Sequence, residues 1–291
     1  MGCYLIDFGP FIDNDYSLMG RVFSMLLSVT TDMFNYTVKP DFDEKLKLFK
    51  AFDFDYIHWC DNWDDDVFYQ HDQMEAYAVL LADAGLACLD VHGTATKNIT
   101  IDALDPSNLK QYIKLLENRI QFCYTVGGDS LVVHPPKYHA PNLEERLAQS
   151  NKVIRVVEDL CIDKSMRLAF ENCSRDDHLI LKEYFDRYSP EFMGFCFDSG
   201  HANIHGNLDQ LMGFKDRLIV THLHDNKGLK DDHQYPGWGN IDWKRVTQWL
   251  KECRYRKPWN LEITHNAELN YESMSQYMET ASRSAREVLT K

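Results

Sequence analysis

No stretch of eighteen apolar residues occurs in the 291-residue sequence, so no bilayer-spanning helix is expected. The opening MGCYLIDFGPFIDND carries neither a basic leader nor a long apolar segment, and Ile6 stands where a myristoylation signal wants Ser or Thr. There is no CxxC pair. The eight cysteines (3, 60, 88, 123, 161, 173, 196 and 253) are scattered, several inside apolar runs, which fits reduced core thiols and a cytoplasmic location. Basic charge is scarce: 31 Lys and Arg stand against 45 Asp and Glu, a net charge of −14, and the stretch DNWDDD (61–66) is strongly acidic. A protein that neutralises phosphates needs a basic face, so nucleic acid is an unlikely partner. Lys137, Arg175, Lys227 and Lys230 still leave room for a small anion. The first strand-like run is followed by SVTTDMFN, without the glycine-rich phosphate turn of a doubly wound open sheet.

What the sequence does have is a regular alternation. Strand-like runs fall near 26–31, 56–60, 87–92, 130–134, 167–171, 193–198, 218–224 and 259–263. Between and after them lie stretches with helical apolar spacing: DEKLKLFKAF, HDQMEAYAVLLADAG, PSNLKQYIKLLENRIQFCYTVG, NLEERLAQSNKVIRVVEDLCID, HLILKEYFDRY, NLDQLMGFKD, DWKRVTQWLKEC and YESMSQYMETASRSAREVLTK. Pro106 marks one helix start, and the glycines of ADAG and TVGG mark two ends. Eight strands alternating with eight helices predict an α/β fold, a single-domain (β/α)8 TIM barrel over 24–291, preceded by an N-terminal extension at 1–23. With 44% hydrophobic residues the chain can bury one large core. Exposed apolar positions on the helices are compatible with a homo-oligomer.

Charged and imidazole side chains recur at the ends of the apolar runs: His92, His134, Glu171, Asp198 with His201, His222 and Glu262. In a parallel barrel all such ends open on one mouth, so residues distant in sequence converge there. Alternation places Glu171 on the face of Ala169, away from Phe170. An inward carboxylate is costly to ionise without a partner, and Asp198 and Glu262 share the predicament. A divalent cation removes the repulsion among the three and replaces the lost water. A fourth ligand is expected from the seventh run, THLHDN, where His222 and His224 share a face and either can reach the mouth.

These residues resemble a known family. The ENCSR that ends the fifth run, DSGHA after the sixth, HLHDN at the seventh and the following DDHQYPGWGNIDW are similar to the xylose isomerase-like TIM barrels, the sugar phosphate isomerase/epimerase and AP endonuclease family 2 superfamily. The resemblance runs from about residue 26 to the end. It implies one divalent metal (Mn, Zn, Co or Mg) held by Glu171, Asp198, His222 and Glu262, with His222 preferred to His224 because the family ligand opens an H-x-x-D/E tetrad. It also implies a small sugar or polyol substrate, isomerised or epimerised through an enediolate. Glu171 and Glu262 are the implied acid and base, one removing and one returning the proton beside the carbonyl.

Two positions depart from the epimerase pattern. Asp177 stands where a substrate-binding Glu is usual, and Gly228 where an Arg is usual, with Lys227 or Lys230 nearby to take the arginine's part. The zinc AP endonucleases of the same superfamily offer a rival reading, a multinuclear hydrolase with up to three Zn. Their nine ligands all have counterparts: His92, His134, Glu171, Asp198, His201, His222, Asp231, His233 and Glu262. A small-molecule lyase, or a metal-bound barrel that senses a ligand without turnover, also fits the residues. His92, His134, His201, His224, Asp231, His233, Trp238 and Lys227 are therefore expected to contact substrate or a further metal. Trp59, Trp63 and Tyr235 are further candidates to pack on a sugar ring. Asn172 and Asn226 sit between substrate contact and turn chemistry, while His139, His178, His205 and His265 match no motif.

Overall fold

A computed structural model describes residues 25–34, 40–265 and 273–290. The expected extension at 1–23 lies outside the described residues. The strands are β1 (Leu27–Thr30), β2 (Tyr56–Trp59), β3 (Ala87–His92), β4 (Ser130–Val133), β5 (Arg167–Glu171), β6 (Met193–Asp198), β7 (Leu218–His222) and β8 (Trp259–Leu261). The helices are α1 (Phe42–Ala51), α2 (His71–Ala84), α3 (Pro106–Thr125), α4 (Leu143–Asp163), α5 (Asp177–Arg187), α6 (Ser199–His205), α7 (Leu208–Leu211), α8 (Trp243–Glu252) and α9 (Met274–Leu289).

All eight strands are parallel and pair in the order β7-β6-β5-β4-β3-β2-β1-β8. The ring closes just past β7, where Leu223 bridges Leu261 and its N–H donates to Asn260 O at 2.8 Å. This is a (β/α)8 barrel, as the alternation predicts. Two local features differ from expectation. NLDQLMGFKD forms only the single turn α7, followed by a 3-10 segment Met212–Arg217. The short helix α6 follows β6 directly, because the Asp198 carboxylate accepts from the His201 N–H and caps it.

Alternation along each strand builds two layers. Small residues fill the barrel interior: Val132, Ala169, Cys196, Ile219 and Val220. Leu168 and Phe170 instead join the larger core between sheet and helices. There Trp59 packs on Phe122 at 4.8 Å and Phe197 on Trp249 at 4.8 Å. Glu171 therefore shares the inward face of Ala169, at the upper rim of the barrel. No described helix is long and apolar enough to cross a membrane. The seven described cysteines are all free.

Candidate metal centre

Parallel strands deliver their last side chains to one rim, and a cavity of about 580 Å³ opens there. Its walls include Asp32, Cys60, Trp63, His92, His134, Glu171, His201, Asp231, His233 and Glu262. Beneath it His222 is fully buried, with Nδ1 3.4 Å from Glu171 Oε1 and 3.2 Å from Glu262 Oε2. Two carboxylates, one ending β5 and one just past β8, thus flank the imidazole that ends β7. Asp198 follows a different pattern. It pairs in register with His222, but its oxygens lie 3.1 and 3.0 Å from His224 Nε2, and Oδ1 also accepts from the His201 N–H.

The remaining predicted residues assemble into two triads. Glu171 Oε2 faces His134 Nε2 at 3.3 Å and His92 Nε2 at 3.6 Å. Asp231 Oδ2 lies 3.2 Å from His201 Nε2 and 3.0 Å from His233 Nε2. The second nitrogen of two of these rings is already committed. His92 Nδ1 bonds to Gly93 O at 2.7 Å and His233 Nδ1 to Glu262 O at 2.7 Å. Such outer bonds fix the ring orientation and aim Nε2 inward, the arrangement of metal-binding histidines. His201 Nδ1 stands 3.3 Å from Glu171 Oε1, which links the triads to the carboxylate pair. His224 stacks on His233 at 4.0 Å, and a Cβ on Gly200 would meet its ring at 1.9 Å, so the neighbouring α6 turn needs glycine.

The electrostatics of these groups are strongly coupled. Burial favours a neutral Glu171, yet His222, His134 and His201 hold its carboxyl well below the usual range. Glu262 is likewise lowered against the effect of burial, chiefly by His222. Burial also disfavours a charged His233, but Asp231 lifts it to about 10. His201 and His222 rise well above the ordinary histidine value, against burial, through their carboxylate and thiol neighbours. Protons thus stand in for positive charge around buried carboxylates. Both ring nitrogens of His222, Glu171 Oε2 and His201 Nδ1 are buried without a well-formed hydrogen bond among the described residues. Orphaned donors of this kind around paired carboxylates fit a divalent ion.

Several sequence expectations change here. Trp238 is 46% exposed beside Tyr235, and Lys227 is exposed; neither lines the cavity. Loop side chains follow no periodicity, so proximity in sequence did not translate into reach. Trp63 supplies the aromatic wall instead, 5.3 Å from His92. Tyr235 is buried and donates to Tyr277 O, while Trp59 packs among Phe42, Tyr77 and Phe122. Asn172 clamps Asp198 through both backbone groups, at 2.9 and 2.8 Å, and Asn226 caps the turn at Gly228 and holds Gly200 O. Asp177 accepts from the Cys173 and Ser174 N–H groups, so it organises the loop after β5. His265, which matches no motif, does line the cavity. Missed altogether were Asp32, His58, Cys60 and Asp90. His58 and Cys60 share one face of the second run, and Asp90 precedes His92 by two residues, so the alternation rule applied to every run reaches these three, while Asp32 lies in the loop past the first run.

A model for the xylose isomerase-like TIM barrel matches residues 46–282, most of the chain. The protein belongs to that family. An uncharacterized protein y4fM of Sinorhizobium fredii is 34% identical over 163 residues, 52% of each chain. A "Probable endonuclease 4" of Mycoplasma mycoides subsp. mycoides SC is 26% identical over 193 residues, 59% of this chain and 64% of that one. The chain thus spans only about half to two thirds of the curated relatives it matches. Among solved structures, a D-tagatose 3-epimerase-like protein superposes with a TM-score of 0.73 at 19% identity, covering 91% of this chain and 98% of the other. An IOLI protein with a binding zinc atom gives 0.72 at 17%, with the same coverage. At such identities the likeness concerns the xylose isomerase-like fold.

A second pocket of about 480 Å³ adjoins the first through His134, and Thr94, Lys97, Lys137 and Arg146 are among its walls. Arg146 is spent on Asp102 at 3.0 Å. Lys97 and Lys137 are exposed and carry no ion pair among the described residues.

Proposed function

We propose that the protein is a divalent-metal-dependent sugar isomerase or epimerase that works by proton transfer next to a carbonyl. The observation that carries this is the pair Glu171 and Glu262, from β5 and the end of β8, meeting on either side of His222 at 3.4 and 3.2 Å beneath an open cavity. Glu171, Asp198, His222 and Glu262 are the proposed holders of the ion. When bound, it supplies Lewis-acid stabilisation of the negative charge that develops on the substrate oxygens. Glu171 and Glu262, kept ionised by their histidine neighbours, are the proposed acid and base, one to take a proton from carbon and the other to return it. Trp63 offers an aromatic plane to the C–H face of a sugar ring, and the His92 and His134 imidazoles offer polar partners to its hydroxyls. Lys97 and Lys137, around the adjoining pocket, supply cations for a phosphorylated or carboxylated end of the substrate. The D-tagatose 3-epimerase-like structure supports this reading in fold and substrate class.

One observation favours a second reading. Both outer triads of the zinc endonucleases are assembled here, with His201 and His233 on Asp231 and His92 and His134 on Glu171. A three-metal site of that kind activates water against a phosphodiester. The exposed acidic residues 64–66 weigh against DNA as the substrate. A panel of ketoses, aldoses and their phosphates, run beside an abasic DNA duplex, tests the choice. Turnover of a sugar with intact DNA is the expected result; cleavage of the duplex without sugar turnover overturns it.

A further inference from the structure

The rim carries one more donor set, on the β8, β1 and β2 side, which joins His58 and Cys60 to Glu262 of the nine positions matched above. His58 and Cys60 point inward from the second strand while Trp59 between them points outward into the aromatic core. Ligand atoms of His58, Cys60 and Glu262 all lie within 4.8 Å of one another.

Three features converge on this cluster. His58 and Asp90 are both fully buried, and His58 Nδ1 bonds to Asp90 Oδ1, which fixes the ring and aims Nε2 at Glu262. Among the described residues that buried Nε2 has no hydrogen-bond partner, and it faces Glu262 Oε1 at 3.8 Å, a gap too long for a hydrogen bond. Glu262 also divides its oxygens, Oε1 toward His58 and Oε2 toward His222. Carboxylate, histidine and metal in line is the usual way a protein orients an imidazole ligand. Cys60, a wall of the cavity, gives an entering ion access and adds a soft donor.

The geometry points to a thiolate-containing metal site of His58, Cys60 and Glu262, suited to a borderline-soft divalent cation such as zinc. Asp32, on the wall of the same cavity, would add a further oxygen donor. The thiol proton would leave to solvent as the ion enters, and Glu262 would serve this ion through the oxygen that faces His58. The site shares Glu262 with that reading but does not need its chemistry.

Cobalt(II) loading of the full chain separates the two sites, because the other proposed ligands contain no sulfur. Loaded protein is expected to show near-ultraviolet sulfur-to-cobalt charge-transfer absorption. Cys60→Ser abolishes that band and lowers bound zinc by about one ion per chain. Cys196→Ser, which removes the other thiol close to His222, keeps it. Glu171→Gln loses cobalt from the shared centre yet retains the band, so failure of the proposed function leaves a different signature. Bound cobalt without the band, or a band that survives in Cys60→Ser, overturns the inference; a proton on His58 then occupies the gap instead.

Discussion

Glu171 is the residue on which most of the site turns, because four histidines approach its two oxygens: His222 and His201 on Oε1, His92 and His134 on Oε2. Replacing it with Gln keeps the shape and removes the charge. Loss of a positioned acid or base costs about 10²–10⁴-fold in kcat. Glu171→Gln and Glu262→Gln are therefore each expected to lower kcat at least about 10²-fold with circular dichroism unchanged. Full turnover in either variant contradicts the roles assigned. Gly200 is a second sensitive position, since a methyl group there collides with the His224 ring that Asp198 holds. Gly200→Ala should destabilise the fold by about 1–3 kcal/mol, the usual cost of overpacking, measured by denaturant melting. At this scale the sequence was informative wherever a residue ends a strand. Glu171 announced itself by alternation, and His222 by alternation together with the family resemblance that set it before His224, whereas His58 was hidden inside YIHWC because the run ends on a cysteine. No periodicity governs Trp238 or Lys227, and their loops carry them away from the cavity.

The elements show why the site forms where it does. Each strand supplies one or two inward side chains at its C-terminal end, and the loop that follows supplies the next shell. After β6 this loop is replaced by α6, whose N-cap is Asp198 itself. A carboxylate that caps a helix and contacts His224 is held rigidly, which no pattern of apolar residues reveals. The loop after β7 is built on Asp225, which accepts from Trp243 Nε1 at 2.7 Å and the Gly237 N–H at 2.9 Å. That scaffold sets Asp231 and His233 over the mouth. The loops after β3 and β4 carry Lys97 and Lys137. Replacing both lysines with Ala should raise KM for a phosphorylated or carboxylated substrate about tenfold or more while leaving kcat nearly unchanged, as expected for two lost charge-assisted bonds. An unchanged KM removes the anionic end from the proposal.

Across the whole molecule, eight apolar runs and the helices between them were enough to specify a closed parallel barrel, because the crossover rule leaves few alternatives once the count is right. What the pattern lacked was the closure at Leu223 and the break of the sixth helical stretch into a short turn and a 3-10 segment. Charge is also a molecular property here. Histidines raised by neighbouring carboxylates hold protons at neutral pH in the metal-free protein, His233 up to about 10. A raised folded pKa gives stability that is complete below the unfolded value and is lost as pH rises through the folded one. Metal must displace those protons, so uptake should strengthen with rising pH and release about one proton or more per ion at pH 7, read by calorimetry in buffers of different ionisation enthalpy. Uptake without proton release contradicts the charge state described.

The central claim is that this barrel moves a proton at a carbon beside a carbonyl. Incubating metal-loaded protein with ketoses in deuterated water and following the sugar by NMR tests it directly. The account predicts deuterium at the carbon next to the carbonyl of the true substrate, absent with Glu171→Gln and with Glu262→Gln. Conversion of a sugar without solvent exchange in either direction, or exchange that persists in both variants, contradicts it.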